Sequence, residues 1–101
     1  MFISGQIPLN PKTGDLVSDS IEEQAKQVLN NVQSICEAAG YSLDDIVKIS
    51  IFLTDLSNFG IVNDVMKEYF SEPYPARATV EVSALPLGVN VEIEAIVLIN
   101  G

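Results

Sequence analysis

The sequence predicts an α+β two-layer sandwich, with two helices on one face of a mixed sheet. Three observations predict it. Apolar residues recur at steps of three, four and one along Ile21–Ala39 and again along Asn58–Phe70, the spacing of amphipathic helices. Four other segments, Phe2–Ile7, Val47–Leu53, Ala78–Val82 and Val91–Ile99, are rich in β-branched and aromatic residues and read as strands. Strands and helices are interspersed rather than strictly alternating, which favours α+β over a fully parallel sheet.

Each element has local support. Phe2–Ile7 opens the chain as a strand and meets the turn Pro8–Asp15, where prolines fix φ and Gly14 permits positive φ. Leu16 and Val17 suit a short return strand. Ser20-Ile21-Glu22-Glu23 has the form of a capping box. Behind it Ile21, Ala25, Val28, Leu29, Val32, Ile35, Cys36 and Ala39 form one stripe, and Gly40 ends the helix. Ser42–Asp45 suits a single capped turn. Val47, Ile49, Ile51 and Leu53 alternate with Lys48, Ser50, Phe52 and Thr54, as in a strand with one buried face. In the second helix Phe59, Val62, Met66, Tyr69 and Phe70 are expected to point inward. Pro73 and Pro75 forbid its continuation. Ala95–Ile99 is apolar on both faces, which suggests a central strand. Ile3, Val80, Val82, Ile96 and Leu98 offer more apolar sheet surface than two helices hide, and self-association is the simplest cover.

Length and composition bound the rest. A chain of 101 residues with 48% apolar content suits one domain, 1–101, with one modest core. The apolar runs are too short to span a bilayer, and no basic-then-apolar leader opens the chain, so a cytoplasmic protein is expected. Fourteen acidic residues against five basic ones give a net charge of −9. Long-range repulsion of phosphates makes nucleic acid an unsuitable partner. With no histidine, Ser-His-Asp and Cys-His arrangements cannot be built. The single Cys36 forms no internal disulfide, and its place in an apolar stripe marks it as a small hydrophobe.

Few residues remain that can do chemistry. Arg77 is the only arginine, set where a Pro-bearing turn enters a strand. Guanidinium holds carboxylate bidentately, so Arg77 suits a small carboxylate ligand; an ion pair with Glu81 or Glu92 is the alternative role. Glu92 and Glu94 lie two apart on a strand, hence on one face. Half-sunk carboxylates resist joint ionisation, so one of them is a candidate proton carrier; two glutamates pointing to solvent on a sheet edge are the alternative. Ser4-Gly5-Gln6 offers a hydroxyl, a place for close approach and an amide, within what is otherwise an ordinary edge strand. Asn63 falls on the second helix, where a solvated position is its simplest role.

Three stretches together resemble the Rid family, the reactive intermediate deaminases also called YjgF-like proteins. They are Phe2-Ile3-Ser4-Gly5-Gln6-Ile7-Pro8, Tyr74-Pro75-Ala76-Arg77-Ala78-Thr79-Val80-Glu81-Val82 and Val91-Glu92-Ile93-Glu94-Ala95-Ile96. Asn10–Gly14 and the helix ending Glu37-Ala38-Ala39-Gly40 also look like that family, in order and spacing. The resemblance implies a chorismate-mutase-like fold assembled as a homotrimer, with ligand clefts between subunits. It implies hydrolysis of 2-enamine and 2-imine acids, such as 2-aminoacrylate, to 2-keto acids and ammonia, with no metal or organic cofactor. By motif, Arg77 would clamp the substrate carboxylate and Glu92 would activate water. Ser4 and Gly5 would line the cleft, with Asn63 near it. Thr79 stands where many members have cysteine, beside Arg77.

Members of that family usually carry a further N-terminal strand with a tyrosine that lines the cleft. This sequence begins at Met1-Phe2, so a cleft short of one wall, a retained trimer and weakened turnover are expected. Two rival functions follow. One is a non-catalytic trimer binding small carboxylates or proteins. The other is the ribonuclease and translation-inhibitor activity also attributed to the family, which the acidic charge and missing histidine disfavour.

Overall fold

The computed structural model describes residues 1–99. Four strands, β1 (Phe2–Gln6), β2 (Ile46–Leu53), β3 (Ala76–Glu81) and β4 (Val91–Val97), form one sheet in the order β1-β4-β2-β3. Two helices, α1 (Ile21–Ala38) and α2 (Phe59–Tyr69), pack on one face. β4 runs antiparallel to β1 and β2, and β2 runs parallel to β3 through the α2 crossover. The expected mixed sheet and the central place of the last strand are both present. Among the described residues no helix is long and apolar enough to cross a membrane.

Local chemistry accounts for the ends of α1. Ser20 Oγ accepts from the Glu23 backbone N–H at 3.1 Å. At the other end Gly40, with φ +85°, lets Tyr41 N–H reach Cys36 C=O at 2.8 Å while Gly40 N–H reaches Glu37 C=O at 3.0 Å. That double closure satisfies carbonyls that a continuing helix would otherwise serve. Asn31, on α1, donates from Nδ2 to the carbonyls of Ile7 and Leu9, at 3.2 and 2.9 Å. This ties the turn after β1 onto the helix. Leu9 and Leu16 form the expected short return bridge.

Between the layers, Ile49, Ile51 and Leu53 of β2 interleave with Val91, Ile93, Ala95 and Val97 of β4. Val28, Leu29 and Val32 of α1 and Val62, Val65 and Met66 of α2 cover them. Cys36 is fully buried there. Burial pushes its thiol up, the charges of Asp45 and Glu37 adding to the effect, as suits an inert packing residue.

Several sequence expectations are corrected. Ile3 pairs with Ala95 and is 4% exposed, so it belongs to the helix-covered core and not to the open face. Val47 is exposed, because the β2–β4 register shifts between Ile46 and Lys48 and Ile46 takes the core position. Ala39 lies past the end of α1 and is exposed. Val65, absent from the sequence stripe, is buried on α2, while Phe59 is 39% exposed. Tyr69 is half-buried; its hydroxyl donates to Asn30 Oδ1 at 2.7 Å. β3 begins at Ala76, two residues earlier than expected, and β4 ends at Val97, two earlier.

Asp55 caps the single 3-10 turn Leu56–Asn58 that leads into α2. Its Oδ1 accepts from Ser57 N–H at 2.9 Å and from Ser57 Oγ at 2.7 Å. These bonds hold the Asp55 carboxyl below the usual carboxylate range. A lowered folded value means the stabilisation is complete above the unfolded value and is lost as pH falls through the folded one. We expect the urea-midpoint difference between wild type and Asp55→Ala to be present at neutral pH and to vanish in that acidic window. A difference that persists unchanged at low pH would assign the effect to packing instead.

Candidate functional site

The parallel register pairs Ile49 with Arg77, Ile51 with Thr79 and Leu53 with Glu81. Paired residues share a face, so Arg77 and Thr79 point to the helix side of the sheet. There Arg77 Nη1 donates to Asn63 Oδ1. The guanidinium also lies over the Phe59 ring, 5.1 Å from its centroid. Phe59 and Asn63 are four apart, hence neighbours on one helical face, and α2 grips the arginine at two points. Neither carboxylate offered as an ion-pair partner by the sequence takes it. Glu81 accepts from Leu56 N–H at 2.8 Å instead, and among the described residues the only ion pair is Lys26–Glu22. The remaining donors of the exposed guanidinium fork are free for a ligand.

Beside Arg77 lies an open recess of about 400 Å³, floored by Met66, Phe70 and Pro75 and edged by Asn63, Lys67 and Tyr74. Its size falls in the range of small-molecule sites. Lys67 and Arg77 bring two of the five basic residues to one place. On the same face of β3, Thr79 Oγ1 is buried and has no hydrogen-bond partner among the described residues. A buried hydroxyl in that state is uncommon and costs about 1–3 kcal/mol unless something serves it.

Glu92 and Glu94 lie on the other side of the sheet, opposite Phe52 and Ser50. Glu92 is half-buried and Glu94 exposed, so the two carboxylates differ in environment although they share a face. The strand is interior, which removes the sheet edge as the reason for their position. Next door, β1 carries one extra residue between Ile3 and Gln6 relative to β4. Gly5 sits in that bulge against Glu92: a Cβ there would lie 2.7 Å from Glu92 Cδ. Ser4 is exposed and shares a second depression, about 390 Å³, with Phe2, Lys48, Ser50, Glu94 and Ile96.

The six residues expected at a site therefore form two groups. Arg77, Asn63 and Thr79 gather on the helix side, while Ser4, Gly5 and Glu92 gather on the open side. One copy of the chain does not bring the two groups together. Phe59, Lys67 and Tyr74 are additions from the structure. Phe59 had a signal in the sequence, its four-residue spacing to Asn63, but its cationic partner Arg77 lies on β3.

A family model described as Endoribonuclease L-PSP matches residues 1–99. The chain belongs to that family. Relatives similar to the chain include a RutC family protein of Pyrococcus horikoshii, 53% identical over 95% of this chain and 76% of the relative. A human 2-iminobutanoate/2-iminopropanoate deaminase is 44% identical over 97% of this chain and 72% of the relative. Among solved structures, RidA from an Antarctic Psychrobacter superposes with TM-score 0.93 at 52% identity, covering 97% of this chain and 79% of that one. Escherichia coli TdcF with bound serine gives TM-score 0.92 at 45% identity, covering 98% and 80%. The fold of these solved structures is thus the fold of this chain, as the Rid resemblance implies.

Two substitutions test the grip on Arg77. Phe59→Leu keeps an apolar side chain but removes the ring face, and should weaken binding of a small 2-keto acid by about 0.5–1 kcal/mol. Asn63→Ala removes a hydrogen bond to a charged group and should cost about 1.5–3 kcal/mol. Titration calorimetry measures both, and equal affinities in all three proteins would show that α2 does not orient the guanidinium.

Proposed function

We propose that this chain is a hydrolytic deaminase of reactive 2-enamine and 2-imine acids, releasing 2-keto acids and ammonia. The observation that carries the reading is the guanidinium of Arg77, held by Asn63 and Phe59 beside an apolar-floored recess. Deaminases among the relatives support it. An imine carbon is already electrophilic, so little machinery is needed. Arg77 binds the carboxylate through two parallel N–H···O bonds and fixes the C=N group in place. Glu92 takes a proton from water as the oxygen adds to the imine carbon and passes it to the nitrogen, which forms the carbinolamine and restores the carboxylate. Glu92 then carries the carbinolamine hydroxyl proton to the nitrogen, the C–N bond breaks, and ammonia leaves the 2-keto acid behind. Thr79 Oγ1, without a partner among the described residues, is a further donor or acceptor for the bound acid.

Arg77 and Glu92 occupy opposite faces of one sheet, so they meet on one substrate only if two copies share a cleft. β3 is an edge strand, and a neighbouring copy whose open face closes against that edge would supply Glu92, Gly5 and Ser4. The open face also has reason to be covered. Phe2 is 83% exposed, Leu98 53% and Val80 46%, with Ile96 half-buried beside them. Each such side chain contributes roughly 1.5–3 kcal/mol when fully buried. For the number of copies we adopt the homotrimer, with three equivalent clefts, that the Rid resemblance implies.

The sidedness of Arg77 and Glu92 also favours a second reading, a carboxylate-binding protein without turnover. An RNA-cleaving role fits less well, since a net charge of −9 opposes a polyanion.

Direct measurements separate these readings. Generating 2-aminoacrylate in a coupled assay should show accelerated loss in the presence of the chain; ligand binding without acceleration would favour the binding protein. Arg77→Lys should lose about 2–4 kcal/mol of affinity for a 2-keto acid, because a point charge replaces a bidentate fork. Glu92→Gln should keep binding and lose turnover, whereas Glu94→Gln should retain most of both. Equal effects of the two glutamine variants would remove Glu92 as the base. Light scattering of the wild-type chain should report a trimer, and a monomer would leave the cleft without its second half.

A further inference from the structure

We infer that Gly5 is a positioning residue whose missing side chain forms the seat of the Glu92 carboxylate. The inference rests on the assignment of Glu92 as the base in the reaction proposed above.

The glycines fall into distinct groups by what each position demands. Gly14, Gly40 and Gly88 have φ of +77°, +85° and +72°, where any other residue is strained, so backbone conformation explains them. Gly60 has nothing within 4 Å of the place a side-chain methyl would take and carries no steric demand. Gly5 differs from all of these. Its φ lies outside the left-handed region, so its backbone would accept alanine. Space is what forbids the side chain. The three nearest heavy atoms to a Cβ at Gly5 all belong to Glu92, with Cδ at 2.7 Å, Cγ at 3.1 Å and Oε2 closer still. A real Cβ does not approach carbon at 2.7 Å, so the carboxylate rests where that methyl would be.

The bulge explains why this contact exists. β1 has one residue more than β4 between the pairs Ile3–Ala95 and Gln6–Ile93. The extra residue bends the strand and brings the Gly5 Cα over the Glu92 side chain. Glycine within a strand commonly marks such a close approach. Glu92 is half-buried there while Glu94, two residues on and without a comparable seat, is exposed. The structure thus distinguishes two glutamates that the Glu-Ile-Glu spacing alone leaves equivalent.

The contacting atoms are the far end of a flexible side chain. Gly5→Ala is therefore accommodated by Glu92 swinging away, which leaves the fold intact and moves the carboxylate. A displacement of about 1 Å at a reacting group can cost on the order of a hundredfold in rate. Substrate affinity, held chiefly by Arg77 on the other side of the cleft, should fall far less than turnover.

The experiment uses the full chain and four proteins: wild type, Gly5→Ala, Glu92→Gln and the double variant. Gly5→Ala should lower kcat about a hundredfold with a much smaller change in KM. In the Glu92→Gln background the same change should cost nothing further, because the group it displaces is already disabled. Carbon-13 labelling of glutamate supplies a readout independent of turnover. The Glu92 carboxyl resonance, identified by its loss in Glu92→Gln, should shift in Gly5→Ala while the other carboxyl resonances stay in place. Full kcat in Gly5→Ala, or a Glu92 resonance that does not move, overturns the inference. An equal loss in both backgrounds also overturns it, since that outcome belongs to a backbone role for Gly5. Turnover that survives Glu92→Gln is a different failure: it removes Glu92 as the base, and the catalytic meaning of the seat falls with it.

Discussion

The helix-facing row of β2 and β4 holds the molecule in register. Ile49, Ile51 and Leu53 lie against Val91, Ile93, Ala95 and Val97, each at most 3% exposed. Strand side chains alternate faces with period two, so a slip of one residue would turn the whole row outward. It would also drive Lys48, Ser50, Glu92 and Glu94 beneath the helices, where an unpaired charge is very costly. That penalty is large against the total stability of a domain this size, about 5–15 kcal/mol. The register of β3 follows from its pairing with β2, which assigns Arg77 to the helix side. The separation of Arg77 from Glu92 is thus a consequence of how the core is built.

Charge acts on two length scales here. The chain carries −9 overall, yet Lys67 and Arg77 meet at one recess. At physiological salt the Debye length is about 8 Å, so a small acid in the recess responds mainly to those two cations. A polyanion extends well beyond that distance and meets the acidic surface as a whole. The proposed preference for small carboxylates over nucleic acid rests on that difference in scale.

Much of the architecture was legible in the residues. Ser20, Gly40 and the proline pair after Phe70 punctuate the helices, and the two helical stripes and the alternation of β2 are strong periodic signals. The exceptions have specific causes. Val47 breaks its own alternation because a bulge opposite β4 hands the core position to Ile46. Ile3 looks like surplus sheet surface until its pairing with Ala95 places it under α1. Phe59 belongs to an apolar stripe by spacing, but it stands near the edge of the layer, where its ring meets a cation. In each case the deciding contact lies on another element.

Sequence alone determined the chemical inventory and the local structure of this protein. It isolated one arginine on a proline-stiffened turn, a paired glutamate motif on a strand, no histidine, and a strand-and-helix pattern that permits few arrangements. Those properties depend on residues within a few positions of one another, where steric and hydrogen-bonding preferences act directly. Tertiary structure decided sidedness and contact: Arg77 gripped by Asn63 and Phe59, Thr79 buried without a partner, and Glu92 seated against Gly5 on the opposite face. These depend on the register between strands distant in the chain, and register is set by the packing of the whole core rather than by any one segment.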